Sequence, residues 1–526
     1  LFALFLLVLL TCHCGAPQPP QCARVPIGSR QPSADLIATA RDQWNILADP
    51  AQRDAWPAAT ASYNQAVARL FDQLRCGHGK DENWNSRAAS LGTRIAPGDP
   101  RHFDPSQVDS LFPAATVSNR GLRERRVTDG VGVPLVGWKE TTPVATPRQP
   151  FLLPNGLPSS ATAVLAFDGG LPEWHFVKRW RVNDLQVGRS NHPVAADWTA
   201  PNAFFWHMCE LDELTIQNVL LPERFMEETG LYFLTPYDPE KIPVVMVHGL
   251  MSSPDAFKHI INDLAPQPWF REKYQVWLFN YPTGNPWLFT GIEFRRLMRQ
   301  ATAYARTKGH DRNLNRMVVV CHSMGGLITR SSITDPGTKL YDAHFGKPFD
   351  QLGVSPSTRE LITNGLLYQP LTEPSRCVFL AVPHRGSRMA TLRTTLLLEN
   401  LIKLPKRLSI DLLDAATHSV LTIPEQANGN VRAPTSIRSL SPDSRSIIGL
   451  GKLPLPPRVR CHSIIGDRGR GGDPWKSSDG VVPYWSSHIT PVESELIVPH
   501  HHGVPDHADT AKELERIFRL HLEEGR

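Results

Sequence analysis

The sequence lacks a strong charge of either sign: 56 Lys and Arg against 51 Asp and Glu leave a net +5 over 526 residues. That balance is too mild for a nucleic-acid footprint, which needs a clustered basic face. The short basic run Arg120–Arg126 reads as a solvated loop, not a binding patch. None of the eight cysteines, at 12, 14, 22, 76, 209, 321, 377 and 461, forms a C-x-x-C spacing. A zinc ribbon or thioredoxin-type site is therefore excluded. No repeat period appears. The uninterrupted apolar run at the start, Leu1 to Leu10, is too short to span a bilayer, which takes about 20 residues. What the chain has in quantity is proline, 47 residues of it, which points to long ordered connections instead of compact helical bundles. Hydrophobic residues at 41% and charged residues at 20% describe an ordinary globular protein. Its length suffices for two or three folded units.

The run Leu1–Leu10 matches the apolar core of a secretory signal, without the initiator Met and basic leader that precede such a core. The sequence thus reads as one that starts inside its signal. Leu9-Leu10-Thr11-Cys12 resembles the bacterial lipoprotein cleavage box, with Thr11 where Gly, Ala or Ser is usual. The resemblance implies export, to the periplasm or the cell envelope or by secretion, and membrane attachment through a lipidated Cys12. Cys377 and Cys461 lie in apolar runs that read as strands, and are expected to be buried small hydrophobes and not a disulfide.

The organisation expected is a signal segment over 1–14, a linker over 15–31, a helical lobe over 32–111, a β-rich accessory region over 112–225 and a final domain over 226–526. In the lobe, Leu36, Ile37, Ala40, Trp44 and Leu47 share one helical face, with Ser33 as N-cap. Tyr63, Ala66, Val67, Leu70, Phe71 and Leu74 share another, closed by Gly77. Val131–Trp138, Ala161–Phe167 and Trp174–Trp180 read as strands. Beyond 226, apolar β-branched runs alternate with helical stretches, the pattern of a mostly parallel sheet covered on both faces. The runs are Pro243–Val247, Tyr274–Phe279, Arg316–Val320, Cys377–Val382, Arg458–Ile465 and Glu495–Val498, and an amphipathic helix over Ala508–Leu522 closes the chain. A Leu-rich insertion over about 388–455, with Leu392, Leu396, Leu397, Leu401, Ile402 and Leu404, reads either as an amphipathic lid suited to lipid or as a helix that simply packs on the sheet.

The sharpest chemical signal is Met317-Val318-Val319-Val320-Cys321-His322-Ser323-Met324-Gly325-Gly326. An apolar strand runs into Ser323, then small residues, then a helical stretch. Such a turn lifts a Ser hydroxyl clear of the sheet, and the close strand–helix crossing demands small side chains, although Cys321 stands where Gly is usual. With His248-Gly249-Leu250 and Pro383-His384-Arg385-Gly386-Ser387, this stretch resembles the α/β-hydrolase lipases and esterases over roughly the last 300 residues.

The resemblance implies a carboxylic ester hydrolase of the α/β-hydrolase fold that forms an acyl-enzyme on Ser323. It implies oxyanion-hole amides at Leu250 and Met324, with Met251 as the alternative to Leu250. The implied acid is Asp479 in Asp-Gly-Val-Val-Pro, ahead of Asp467 and Asp473, and the implied base is His502, ahead of His507, His501 and His500. A Ser needs such a base to take its proton, and the base needs an anion to hold its tautomer. His384 is expected to line the site or to hold a loop. Consecutive histidines point in different directions and have no carboxylate-rich partner motif, so neither a metal nor a cofactor is expected. The substrate expected is an acyl ester, lipids included; a thioesterase or acyltransferase with the same triad, and a non-catalytic binding protein on this fold, are the other readings. Activity is expected to fall in acid as the base protonates, from an ordinary pKa near 6.5.

Overall fold

The computed structural model describes residues 19–20, 31–76, 83–119, 121–141, 150–153, 156–209, 229–388, 404–417 and 435–524. The chain divides into two compact units, Leu1–Thr146 with Pro154–Glu210, and Pro147–Leu153 with Leu211–Arg526. The signal segment with Cys12, most of the linker, Gly77, and Leu392 to Ile402 of the insertion lie outside the described residues.

In the first unit, helices α1 (Ser33–Ala48) and α2 (Trp56–Arg75) bury the stripes read from their periodicity: Leu36, Ala40, Trp44 and Leu47 on one, Tyr63 to Leu74 on the other. Ser33 is already helical; the N-cap position is Pro32, with no side-chain cap. The unit's sheet holds β1 (Arg94–Ile95), β2 (Ser110–Pro113), β3 (Val133–Lys139), β4 (Leu157–Ala166) and β5 (Glu173–Lys178), in the order β1-β5-β4-β3-β2. Helices and strands, separate regions in the sequence reading, share one apolar core. The Tyr63 hydroxyl joins them, donating to the Leu165 carbonyl and accepting from the Leu165 N–H, both at 2.8 Å. Arg125, from the basic run, pairs with the buried Asp197 at 2.6 Å.

The second unit is built on β6 (Gly230–Phe233), β7 (Ile242–Val247), β8 (Tyr274–Asn280), β9 (Met317–His322), β10 (Pro374–Leu380), β11 (Arg460–Gly466) and β12 (Ser494–Val498). Their order is β6-β8-β7-β9-β10-β11-β12. Only β6 runs antiparallel to its neighbour; the other pairs are parallel. β7, β8 and β9 are buried at every residue, as strands covered on both faces must be. The principal helices are α3 (Trp287–Arg306), α4 (Met324–Ile333), α5 (Lys406–Thr417) and α6 (Ala508–Glu524). The strip Pro147–Leu153 belongs here although it interrupts the first unit's sequence. Its Phe151 ring stacks on Phe233 at 5.1 Å, and Leu152 bridges to the same residue. From the insertion, α5 is anchored on the helix Pro356–Leu366: Asp411 accepts from Ser357 Oγ at 2.6 Å and Asp414 from the Ser355 N–H at 2.9 Å. Its Ile410 is left 57% exposed. No described helix is long and apolar enough to cross a membrane.

Cys321, Cys377 and Cys461 are free and buried. Cys321 and Cys377, diagonal neighbours on β9 and β10, have sulfurs 3.9 Å apart, a weak S–H···S contact and not a disulfide. They fill the sheet as small hydrophobes.

Candidate active site

Parallel strands gather their following loops at one end of the sheet, where open α/β sheets bind ligands. β7 delivers His248 to Met251, β9 delivers Ser323, β11 leads to Asp479, and β12 leads to His502. Four loops distant in sequence thus meet.

Ser323 sits between β9 and α4 with φ 52° and ψ −125°. A non-glycine residue in that region stores strain on the order of 1–3 kcal/mol, held here by the Ser323 N–H donating to the Leu380 carbonyl at 2.9 Å. The small residues around it have measurable reasons. A Cβ on Gly325 would lie 2.3 Å from the carbonyl oxygens of Val247 and His248, and one on Gly326 would lie 2.1 Å from a Val382 methyl. A Cβ on Gly249 would meet the Ser323 Cβ at 2.8 Å. Cys321 is tolerated because its side chain lies in the sheet, its Sγ 3.4 Å from the Val378 carbonyl.

The His502 ring lies between the other two groups. Its Nε2 is 2.8 Å from Ser323 Oγ and its Nδ1 is 2.7 Å from Asp479 Oδ2. With the Nδ1–H donated to the carboxylate, the Nε2 lone pair faces the hydroxyl, which donates to it. Asp479 is 2% exposed, and its other oxygen accepts the N–H groups of Val481 at 2.7 Å and Val482 at 2.6 Å. Gly480 makes that tight turn possible with φ 101°. The competitors are employed elsewhere. Asp467 accepts from the Gly469 N–H at 2.7 Å and Asp473 from the Trp475 N–H at 3.0 Å. His501 Nδ1 accepts from the Gly503 N–H and His507 Nδ1 from the Asp509 N–H, while the His500 ring packs on His501 at 4.0 Å.

Met324 opens α4, so its N–H has no carbonyl one turn back to bond. The Met251 N–H is already donated to Thr283 Oγ1 at 3.3 Å. Below it, the His248 ring stacks on Tyr281 at 4.2 Å, and the Tyr281 hydroxyl donates to the His248 carbonyl at 2.7 Å. Thr283 and Tyr281 gave no signal in the sequence, since a Thr and a Tyr in a proline-containing loop are ordinary.

Burial pushes His248 down to about 3, and pushes His322 to about 3 with the neighbouring His502 adding to it. Both rings are therefore neutral wherever the site could work. His384 is also driven well below its ordinary value by burial, with Arg330 and Arg385 adding to it. At 1% exposed and edge-on to Phe379 at 4.8 Å, His384 offers a substrate no open face. Neither of its nitrogens has a hydrogen-bond partner among the described residues. No group of three or more His, Cys, Asp or Glu among the described residues is arranged to hold a metal ion.

Residues 238–403 match the family described as "Putative serine esterase (DUF676)". Among solved structures, the chain is similar to the mature form of the Bacillus licheniformis lipase BlEst2, at 15% identity over 55% of this chain and 97% of that one, with a TM-score of 0.33. It is similar to Cfl2 from Burkholderia cenocepacia at 15% identity over 55% and 92%, TM-score 0.28. It is also similar to the thioesterase domain from the curacin biosynthetic pathway at 14% identity over 55% and 98%, TM-score 0.28. No curated protein matches the chain significantly. The parallel sheet, the strained Ser at a strand-to-helix turn and the serine esterase match over residues 238–403 together make the second unit an α/β-hydrolase domain and the protein a carboxylic ester hydrolase.

Proposed function

We propose that the protein cleaves acyl esters through a Ser323–His502–Asp479 triad. The observation that carries this is the single imidazole bonded to both partners, 2.8 Å to Ser323 Oγ and 2.7 Å to Asp479 Oδ2. Ser323 Oγ attacks the acyl carbonyl carbon while its proton passes to His502 Nε2. The oxyanion that forms is met by the N–H groups of Leu250 and Met324, each such donor contributing on the order of 10²–10³ in rate. As the tetrahedral intermediate collapses, Nε2 returns the proton to the departing alkoxide and the alcohol leaves. Water, deprotonated by the same nitrogen, attacks the acyl-Ser323 carbonyl; the carbon–Oγ bond then breaks, Nε2 returns the proton to Ser323 Oγ, and the acid leaves. The Asp479 carboxylate stays ionised throughout and stabilises the imidazolium. No cofactor takes part in this scheme.

The test is labelling with a fluorophosphonate probe, followed by turnover of p-nitrophenyl acetate, butyrate and palmitate. Wild-type protein labels and Ser323→Ala does not. Equal labelling of the two proteins overturns the reading, and acylation without release of free acid in favour of transfer to an alcohol or amine turns it into an acyltransferase.

We further propose that the chain works outside the cytoplasm, tethered by a lipid on Cys12. The disulfide at Cys76 supports an oxidising compartment. Mass spectrometry of the mature protein should find a lipid-bearing N-terminal Cys12; a protein that retains Leu1 to Thr11 overturns the tether.

A further inference from the structure

The Pro383–Ser387 motif, which resembles a lipase signature, has no role in the scheme above. Two of its side chains, Arg385 and Ser387, reach the segment that follows the acid. Ser387 is 4% exposed, and its Oγ donates to the Val481 carbonyl at 2.5 Å. Val481 is the residue whose N–H donates to Asp479 Oδ1 at 2.7 Å. One peptide step therefore separates the Ser387 contact from the carboxylate. Further along the same loop, the Arg385 guanidinium donates to the carbonyls of Trp485 at 2.6 Å and His488 at 2.5 Å. The Arg385 N–H donates to Ser486 Oγ at 3.2 Å, and that hydroxyl donates back to the Gly386 carbonyl at 2.6 Å.

The motif is itself held at both ends. It follows β10, whose Leu380 carbonyl receives the Ser323 N–H, and the Ser387 N–H donates to the Leu440 carbonyl at 2.9 Å. Gly386 makes the reversal between these anchors at φ 81°, and a Cβ there would lie 2.6 Å from the Pro442 nitrogen. Only glycine satisfies both conditions.

We infer that Arg385 and Ser387 are positioning residues: they clamp the 481–488 loop to the strand beside the nucleophile and so aim Asp479 at His502. This rests on the triad reading, since it gives the motif its task through the acid. The physical reason for a clamp is that a carboxylate must meet a ring nitrogen within a few tenths of an ångström, and displacement by about 1 Å can cost on the order of 10² in rate. The Asp-Gly turn alone fixes the carboxylate only to its own loop.

The experiment is a double-mutant cycle on the full chain, with kcat, KM and the rate of fluorophosphonate labelling as readouts. Ser387→Ala and Arg385→Ala, each checked for a native melting transition, should lower kcat and the labelling rate together by about tenfold or more, with KM within about twofold. In an Asp479→Asn background the same substitutions should cost nothing further, because the group they position is already lost. Arg385→Lys, which keeps a donor, should retain more activity than Arg385→Ala. Arg385 is exposed, so its variants fold even if Ser387→Ala does not. Unchanged kcat in a folded variant, a rise in KM alone, or an undiminished penalty in the Asp479→Asn background each overturns the clamp while leaving the triad standing. Wild-type protein that takes no label overturns both.

Discussion

His322 Nε2 lies 2.9 Å from the backbone carbonyl of His502, so the residue before the proposed nucleophile donates its N–H to the residue proposed as base. The two rings stand 4.9 Å apart. A charge on His322 would oppose the imidazolium that His502 must become, and burial removes that charge by lowering His322 to about 3.

His322→Phe keeps a ring of similar size and deletes the donor. It should lower kcat by about tenfold through misplacement of His502, with KM little changed, and His322→Gln, which can still donate, should lose less. Steady-state kinetics on folded variants checks this. Equal activity for His322→Phe and wild type would mean that the 502 backbone is held without it.

Asp479→Asn should leave the fold intact, because the amide oxygen can still accept from Val481 and Val482. Catalysis should fall on the order of 10⁴, since an amide cannot hold the ring in the tautomer that presents Nε2 to Ser323. Asp467→Asn and Asp473→Asn, whose carboxylates close local turns, should stay within about threefold of wild type on the same assay. A large loss in either would reassign the acid.

Much of this was legible in the chain because local rules and tertiary demands coincide. Strands β7 to β9 are buried at every residue and mostly apolar because both faces are covered, and the Ser323 turn announces itself through small residues that the crossing requires. Asp479 was singled out because Asp-Gly-Val-Val-Pro resembles the acid loop of the α/β-hydrolases, while the Asp-Gly pair by itself reads only as turn chemistry. β6 escaped notice: a four-residue edge strand, Gly230–Phe233, gives too few positions to show a period. The roles of His322 and Ser387 were hidden for another reason. Each acts on a backbone carbonyl, at separations of 180 and 94 residues, and a carbonyl leaves no mark on residue identity. Likewise His384, expected to line the site or to hold a loop, is buried edge-on against Phe379.

Glycines at the crossing give a stability test. Gly325→Ala places a methyl 2.3 Å from two backbone oxygens, and backbone on a central strand cannot yield. Loss of soluble folded protein is expected. Gly451→Ala, at the end of the helix Arg445–Gly451 with open space around it, should be neutral or stabilising by up to about 1 kcal/mol. Comparable expression and melting of both variants would contradict the tight crossing.

Stability should also depend on pH through buried neutral rings. His248, His322 and His521 are lowered to about 3 and His462 to about 4, burial being the largest cause in each case. Below about pH 6.5 these rings take up protons in the unfolded chain but not in the folded one. The unfolded state then binds more protons, so folding free energy falls as pH falls. Each ring contributes a slope of up to about 1.4 kcal/mol per pH unit between its unfolded and folded values. The carboxylates act lower: Glu493 and Glu513 are held below the ordinary range by Arg460, Arg376 and Arg516 against the opposing effect of burial. Their contribution is lost only below about pH 4.5. Between pH 6.5 and 5 the histidines therefore dominate. Urea unfolding at pH 7.5, 6.5, 5.5 and 5.0 should show a small loss between the two higher values and then a steepening one, with His462→Gln flattening part of it. A midpoint constant down to pH 5 would mean that these rings are protonated in the folded protein, and that the interior around them is wetter than their burial implies.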